Sequence, residues 1–309
     1  MMARSDGEDV GLREALASGR FAITAEVTPP RGADPSRTLA AAALLAPLVD
    51  ALNITDGSRA VMRMSSLAVS RLLLDAGIEP VLQMTCRDRN QIALQSDLLG
   101  AHALGIRNVL CLTGDPVRAG DQPGARPVNE LESVRLLQLA QRFNRAEDPV
   151  AGSLPDGGTD LFLGAAADPH TRSWSALASR VRRKHTAGAR FVQTQMVMDS
   201  APLRRFVDEI TGPLGLPVLA GVFLLKSAKN ARFINRVVPG ACISEAIIAR
   251  LEGSADPAAE GIAIAAEQVA AYRPITQGVH LMAIKAEERL PQVLQLAGIS
   301  PRSLAAPAR

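Results

Sequence analysis

Short apolar runs alternate with helix-length segments eight times along this chain, and that rhythm leaves few folds open. The runs fall at 21–27, 51–54, 80–84, 107–112, 161–166, 190–195, 216–220 and 278–284. The helical segments between and after them fall at 36–48, 65–75, 91–104, 131–143, 174–187, 202–210, 228–237, 243–251, 257–271 and 290–296. Strands that are apolar almost throughout belong to parallel sheets covered by helices. Eight units use nearly the whole chain and predict one closed (β/α)8 TIM barrel, a single domain over 1–309. Residues 1–19 are expected to be an N-terminal helix or a flexible lead-in. A doubly wound sheet would place Gly-x-Gly-x-x-Gly after the first strand, and none is there.

Composition matters to this reading in three ways. Hydrophobic residues make up 47% of the chain and aromatics only 3%, so Leu, Val, Ile and Ala must fill the core. Lys+Arg 34 against Asp+Glu 31 is too even to suggest nucleic acid. The three cysteines, Cys86, Cys111 and Cys242, include no Cys-x-x-Cys pair and read as buried reduced thiols of a cytoplasmic protein. The acidic first twenty residues do not resemble a signal peptide, and no run reaches the ~18 apolar residues of a membrane span.

Catalytic groups of such barrels sit just beyond the strand C-termini. The first run delivers Glu26 and is then closed by Pro29-Pro30, which lack the N–H a strand needs. The same rim collects Thr55, Asp56, Gln83, Thr85, Asp115, Asp168, Gln193, Gln195 and Lys285. Gln193 and Gln195 are two apart on a strand and share a face. Burying both is costly without a partner, and carboxamides match the paired donor and acceptor edges of pterins, flavins or nucleobases. His102, His170, His185 and His280 show no metal-ligand spacing, so no metal is expected. His102 and His280, in a helix and a strand, read as structural. No Gly-x-Ser-x-Gly elbow supports a serine nucleophile.

The chain resembles the methylenetetrahydrofolate reductases along nearly its full length. The resemblance rests on Ala25-Glu26-Val27-Thr28-Pro29-Pro30-Arg31, Asn53-Ile54-Thr55-Asp56-Gly57-Ser58 and Thr85-Cys86-Arg87-Asp88-Arg89-Asn90. It continues through Ala101 to Asn108, Leu112-Thr113-Gly114-Asp115-Pro116, Arg183-Lys184 and Phe191-Val192-Gln193-Thr194-Gln195. It implies a flavin enzyme that reduces 5,10-methylenetetrahydrofolate to 5-methyltetrahydrofolate, or runs the reverse, in one-carbon metabolism and methionine biosynthesis. FAD would lie across the barrel mouth, with NADH, NADPH or a partner redox subunit as electron donor; a homo-oligomer is also compatible. By position, Glu26 matches the acid that protonates the folate, and Asp115 matches the aspartate near flavin and folate. Thr55, Gln83, Leu112, Thr113, Gly114, Ala167, Asp168 and Lys184 fall on FAD contacts. Gln193, Gln195, Asn230 and Lys285 fall on substrate contacts.

The chain departs from the family pattern at several of these positions. Gln83 replaces a histidine, Ala167 or Asp168 a tyrosine, Leu177 an acidic residue and Asn230 a glutamine. Lys285 stands beside Ala286, where the family has an arginine. These departures put FAD affinity in question. A non-catalytic assembly subunit is the alternative from another class.

Overall fold

In a computed structural model, residues 11–238 and 240–299 are described. Eight strands form a closed, all-parallel barrel in sequence order: β1 (Ala22–Val27), β2 (Ala51–Ile54), β3 (Pro80–Thr85), β4 (Asn108–Leu112), β5 (Phe162–Ala167), β6 (Phe191–Met196), β7 (Val218–Phe223) and β8 (Gly278–Met282). The expected (β/α)8 architecture is therefore the observed one. The helices are α1 (Leu12–Ala17), α2 (Ser36–Leu45), α3 (Ser66–Asp75), α4 (Gln91–Ala103), α5 (Ser133–Asn144), α6 (Trp174–Thr186), α7 (Ser200–Phe206), α8 (Ala228–Val237), α9 (Glu245–Gly253), α10 (Pro257–Tyr272) and α11 (Leu290–Leu296). Of the N-terminal lead-in, the described part carries α1, and 1–10 lie outside the described residues.

Element boundaries moved where local chemistry overrode the apolar pattern. The run at 216–220 became β7 two residues later, because Pro217 donates no ladder hydrogen bond and the strand instead continues through Gly221 to Phe223. Gly221 is needed there, since a Cβ would lie 2.6 Å from the Gln195 carbonyl oxygen. The helix expected at 131–143 starts at Ser133, with Glu132 capping it by accepting from the Val134 N–H. The segment at 202–210 divides into α7 and a π-helical turn at Val207–Thr211. Asp34 stands one residue before the cap position, which Pro35 takes, yet its carboxylate still accepts from Ser36 N–H at 2.9 Å.

The cysteines divide as well. Cys111 on β4 and Cys86 just past β3 are buried, while Cys242 is exposed between α8 and α9 with φ +46°, against the expectation of three buried thiols.

Alternate strand residues face the barrel interior. The register pairs Thr24 with Ala51 and His280, Glu26 with Asn53, Gln83 with Leu110, and Ala166 with Gln193. The bottom of the interior is dry: Ala22, Ala51, Val81, Leu110, Phe191 and Leu219 pack with Leu12 and Ala15 of α1, which closes the lower end. Phe191 fills the centre only because Gly164 opposite has no side chain; a Cβ there would come within 2.2 Å of the ring. Above this apolar floor the inward positions turn polar, and that change of chemistry marks the site.

Candidate active site

Above the apolar floor the interior wall carries Thr24, Asn53, Gln193 and His280, all buried. Asn53 Nδ2 donates to Gln193 Oε1 across the barrel at 2.7 Å. Asn53 Oδ1 has no partner, and Gln193 Nε2 has none among the described residues. Thr24 Oγ1 lies 3.0 Å from His280 Nδ1 and 3.4 Å from the Val279 carbonyl oxygen. His280 Nε2 makes no hydrogen bond, and Glu26 Oε2 stands 3.6 Å away. The Glu26 side chain keeps 19% of its surface exposed, so one end of the carboxyl touches the buried wall while the group still reaches the mouth.

Next to this wall is a cavity of about 410 Å³, lined among others by Gln83, Leu112, Asp168, Arg180, Gln193 and Gln195. Leu110, Ala166, Ala167, Leu177, Lys184 and Met282 complete its apolar and basic sides. Its volume is in the range of a small-molecule site. Gln83 offers a carboxamide with no side-chain hydrogen bond among the described residues, and Gln195 Oε1 is spent on the Met196 N–H at 2.9 Å. Burial pushes the Lys184 ammonium below the usual lysine range, Glu132 opposing it, and Nζ donates to the Ala166 carbonyl at 2.7 Å.

Other rim residues have structural duties. Asp56 is held by the Thr85 N–H and hydroxyl at 2.8 and 2.9 Å and by Arg89 at 2.7 Å. Asp115 accepts from the Arg59 N–H at 2.6 Å. This bond ties the loop after β4 to the loop after β2, reinforced by Met62 N–H donating to Asp121 at 3.1 Å, and an Arg31–Asp121 ion pair adds the loop after β1. Thr113 Oγ1 accepts from the Ser133 N–H at the start of α5. Asn230 accepts from the Lys226 N–H and lines a separate groove with Ser227, Lys229 and Phe233. Lys285 follows β8 with φ +54°, its N–H donating to Glu287. The structure thus gathers Gln83, Leu112, Ala167, Asp168, Lys184, Gln193 and Gln195 at one cavity, while Glu26 stands on β1 and is not among its lining residues. Thr55, Thr113, Gly114, Asp115, Asn230 and Lys285 lie apart from it. Among the described residues no group of His, Cys, Asp and Glu could hold a metal ion.

A family model described as methylenetetrahydrofolate reductase matches residues 11–298. The chain belongs to the methylenetetrahydrofolate reductase family. A Caenorhabditis elegans protein named "Probable methylenetetrahydrofolate reductase (NADPH)" is 26% identical over 180 residues, 56% of this chain and 25% of its own length. A 5,10-methylenetetrahydrofolate reductase of Pectobacterium carotovorum subsp. carotovorum is 23% identical over 229 residues, 71% of this chain and 70% of its own. The chain therefore corresponds to a quarter of the nematode relative and to over two thirds of the bacterial one. Among solved structures, a Clostridium thermocellum protein that binds two copies of 5-methyl-5,6,7,8-tetrahydrofolic acid superposes with a TM-score of 0.62 at 14% identity. That superposition covers 92% of this chain and 96% of that one, a likeness of fold.

The family implies FAD, and the donor set tests how much of it these residues can hold. Gln83, Leu112 and Gln193 around one cavity suit a flat ring with amide-type edges. The remainder of a dinucleotide is poorly served. Thr55 Oγ1 is sealed off without a partner, and Thr113 and Asp115 accept from backbone N–H groups. The space a Cβ would take at Gly114 is occupied by Arg87 and Thr85. Leu177 presents hydrocarbon, and Lys184 is engaged by Ala166. These residues fit a ring and do not fit a complete FAD, so no step below is routed through it.

Sequence reasoning missed Asn53, Thr24, Arg180 and the partnership of His280. Parity could have found three of them: Thr24 lies two residues before Glu26, His280 lies on the inward face of β8, and Asn53 precedes the rim by two.

Proposed function

We propose that this protein reduces 5,10-methylenetetrahydrofolate to 5-methyltetrahydrofolate, with Glu26 as the acid. The observation that carries the reading is the Glu26 carboxyl, partly exposed on the inner wall of β1 in a barrel whose β3 and β6 present three carboxamides to one cavity. In this reaction the imidazolidine ring of the folate must open, and a proton on the departing nitrogen makes that possible. The resulting iminium carbon takes a hydride and becomes the methyl group. Glu26 delivers the proton and ends as a carboxylate, whose charge stabilises the neighbouring cation. Gln193 and Gln195 have amide nitrogens available to the acceptor edge of a pterin, and the Asn53 contact holds Gln193 in one orientation. The hydride comes from a dihydronicotinamide or from a reduced partner subunit, the two donors that the test below distinguishes.

The test is turnover of the purified protein with NADH or NADPH, with and without added FAD, alongside the Glu26→Gln variant. Turnover is expected in the wild type, and the variant should fold normally while losing on the order of 10²-fold. Near-normal turnover in Glu26→Gln would refute the acid assignment. A yellow preparation bleached by neither nucleotide would transfer the donor role to a partner subunit.

A further inference from the structure

His280 is fully buried on β8, and its two ring nitrogens have unlike surroundings. Nδ1 is 3.0 Å from Thr24 Oγ1 on the neighbouring strand, a good hydrogen-bond distance. Nε2 is sealed from solvent with no hydrogen bond at all, and Glu26 Oε2 is the carboxylate oxygen 3.6 Å from it. A buried imidazole nitrogen without a partner is costly, and a small rotation of the Glu26 side chain would supply one. All three residues come from adjoining inward positions of β8 and β1, Thr24 and His280 being register partners. Rigid strands rather than loops therefore set their spacing.

We infer that His280, anchored by Thr24, is a positioning residue that holds one oxygen of Glu26 and leaves the acid proton on the other, mouth-facing oxygen. The inference rests on the reading of Glu26 as the acid and adds how that acid is aimed. The Thr24 hydroxyl has a single proton. That proton has two acceptors in reach, Nδ1 at 3.0 Å and the Val279 carbonyl at 3.4 Å, and it is assigned to Nδ1. Nδ1 is then the acceptor nitrogen and Nε2 carries the ring proton. Nε2–H donates to Oε2, which in the protonated acid is the carbonyl oxygen, and the transferable proton is left on Oε1. When Glu26 gives that proton to the folate nitrogen, the imidazole stays neutral. Its hydrogen bond to Oε2 then becomes charge-assisted, which stabilises the carboxylate formed by the transfer. No proton passes through His280. Its contribution is orientation and stabilisation of the product charge.

Two measurements test this, one of them independent of turnover. Nitrogen-15 NMR of imidazole-labelled protein should place the His280 ring proton on Nε2. Glu26→Gln should move the Nε2 resonance, and Thr24→Val should weaken the tautomer preference by removing the donor to Nδ1. A ring proton on Nδ1, or a His280 signal indifferent to Glu26→Gln, overturns the inference. Kinetics supply the second arm. His280→Leu should lower kcat on the order of 10²-fold, the cost of a misplaced group, while equilibrium binding of 5-methyltetrahydrofolate is unchanged. His280→Gln, whose amide N–H can reach the Nε2 position, should recover most of the loss. An equal kcat deficit in the Leu and Gln variants, with wild-type melting, would reduce His280 to a space-filling role. If the wild type turns over no folate, the proposed reaction fails, and the NMR arm still decides what His280 does to Glu26.

Discussion

Position along a strand says which way a side chain points, but its duty depends on what meets it. Glu26 near the end of β1 and Asp115 just past β4 both mark the C-terminal ends of apolar strands and look equivalent in sequence. Glu26 ends on a wall with an unpartnered imidazole nitrogen, whereas Asp115 meets the Arg59 N–H and becomes a clasp between loops. The cysteines differ in the same way. Burial pushes the Cys86 thiol up to about 11, with Glu132 adding to the effect, and the fully enclosed Cys111 is raised further. Cys242 is exposed. Titration of the native protein with a thiol reagent at pH 8 should therefore modify one cysteine per chain, Cys242, with the other two reacting only after denaturation. Rapid reaction of Cys86 in the native protein would contradict the packing of β3 against α4 and α5 described by the core.

At the level of elements, strand and helix existence was legible because an apolar run of four to seven residues in this rhythm has few other uses. Boundaries were not, because they depend on single hydrogen bonds: Glu132 capping α5, or Pro217 failing to donate at β7. The interior packing was also invisible, since it couples residues on different strands. Gly164 on β5 and Phe191 on β6 are register partners and a complementary pair, one supplying the space and the other filling it. Gly164→Ala should cost roughly 1–3 kcal/mol by overpacking. The same change in a Phe191→Leu background should cost less than it does in the wild type, a non-additivity read from denaturant midpoints. Additive effects would show that the ring relaxes away from β5 without strain.

The whole molecule depends on how the barrel's lower end is closed. Glu79 is mostly buried there, with Oε1 accepting from the Leu12 N–H of α1 at 3.1 Å and from Asn108 Nδ2 at 2.6 Å. Burial raises its carboxyl above the usual glutamate range against the opposing effect of these two bonds, with Glu14 and Asp50 adding repulsion. A raised acid binds its proton more tightly folded than unfolded, so stability falls as pH rises from the unfolded value near 4.5 through the folded one. Glu79→Gln keeps an oxygen for both donors and has no charge to bury. It should melt higher than wild type above pH 7 and show less decline between pH 5 and 8. Equal melting curves at both pH values would mean that Glu79 is solvated in solution. Among the described residues no helix is long and apolar enough to cross a membrane.

Taken by itself, the sequence determined the architecture, because hydrophobic periodicity is a local signal and eight repeats of it close only one way. It also singled out Glu26, Gln83, Gln193 and Gln195, whose polarity at inward strand positions cannot be reconciled with an all-apolar core. Only the tertiary structure decided which rim residues share a cavity, which are consumed by loop-to-loop bonds, and which histidine stands against Glu26. Those outcomes rest on contacts between residues tens to hundreds of positions apart, such as Asn53 with Gln193 and Thr24 with His280. Barrel closure brings those partners together, and no pattern along the chain encodes them singly.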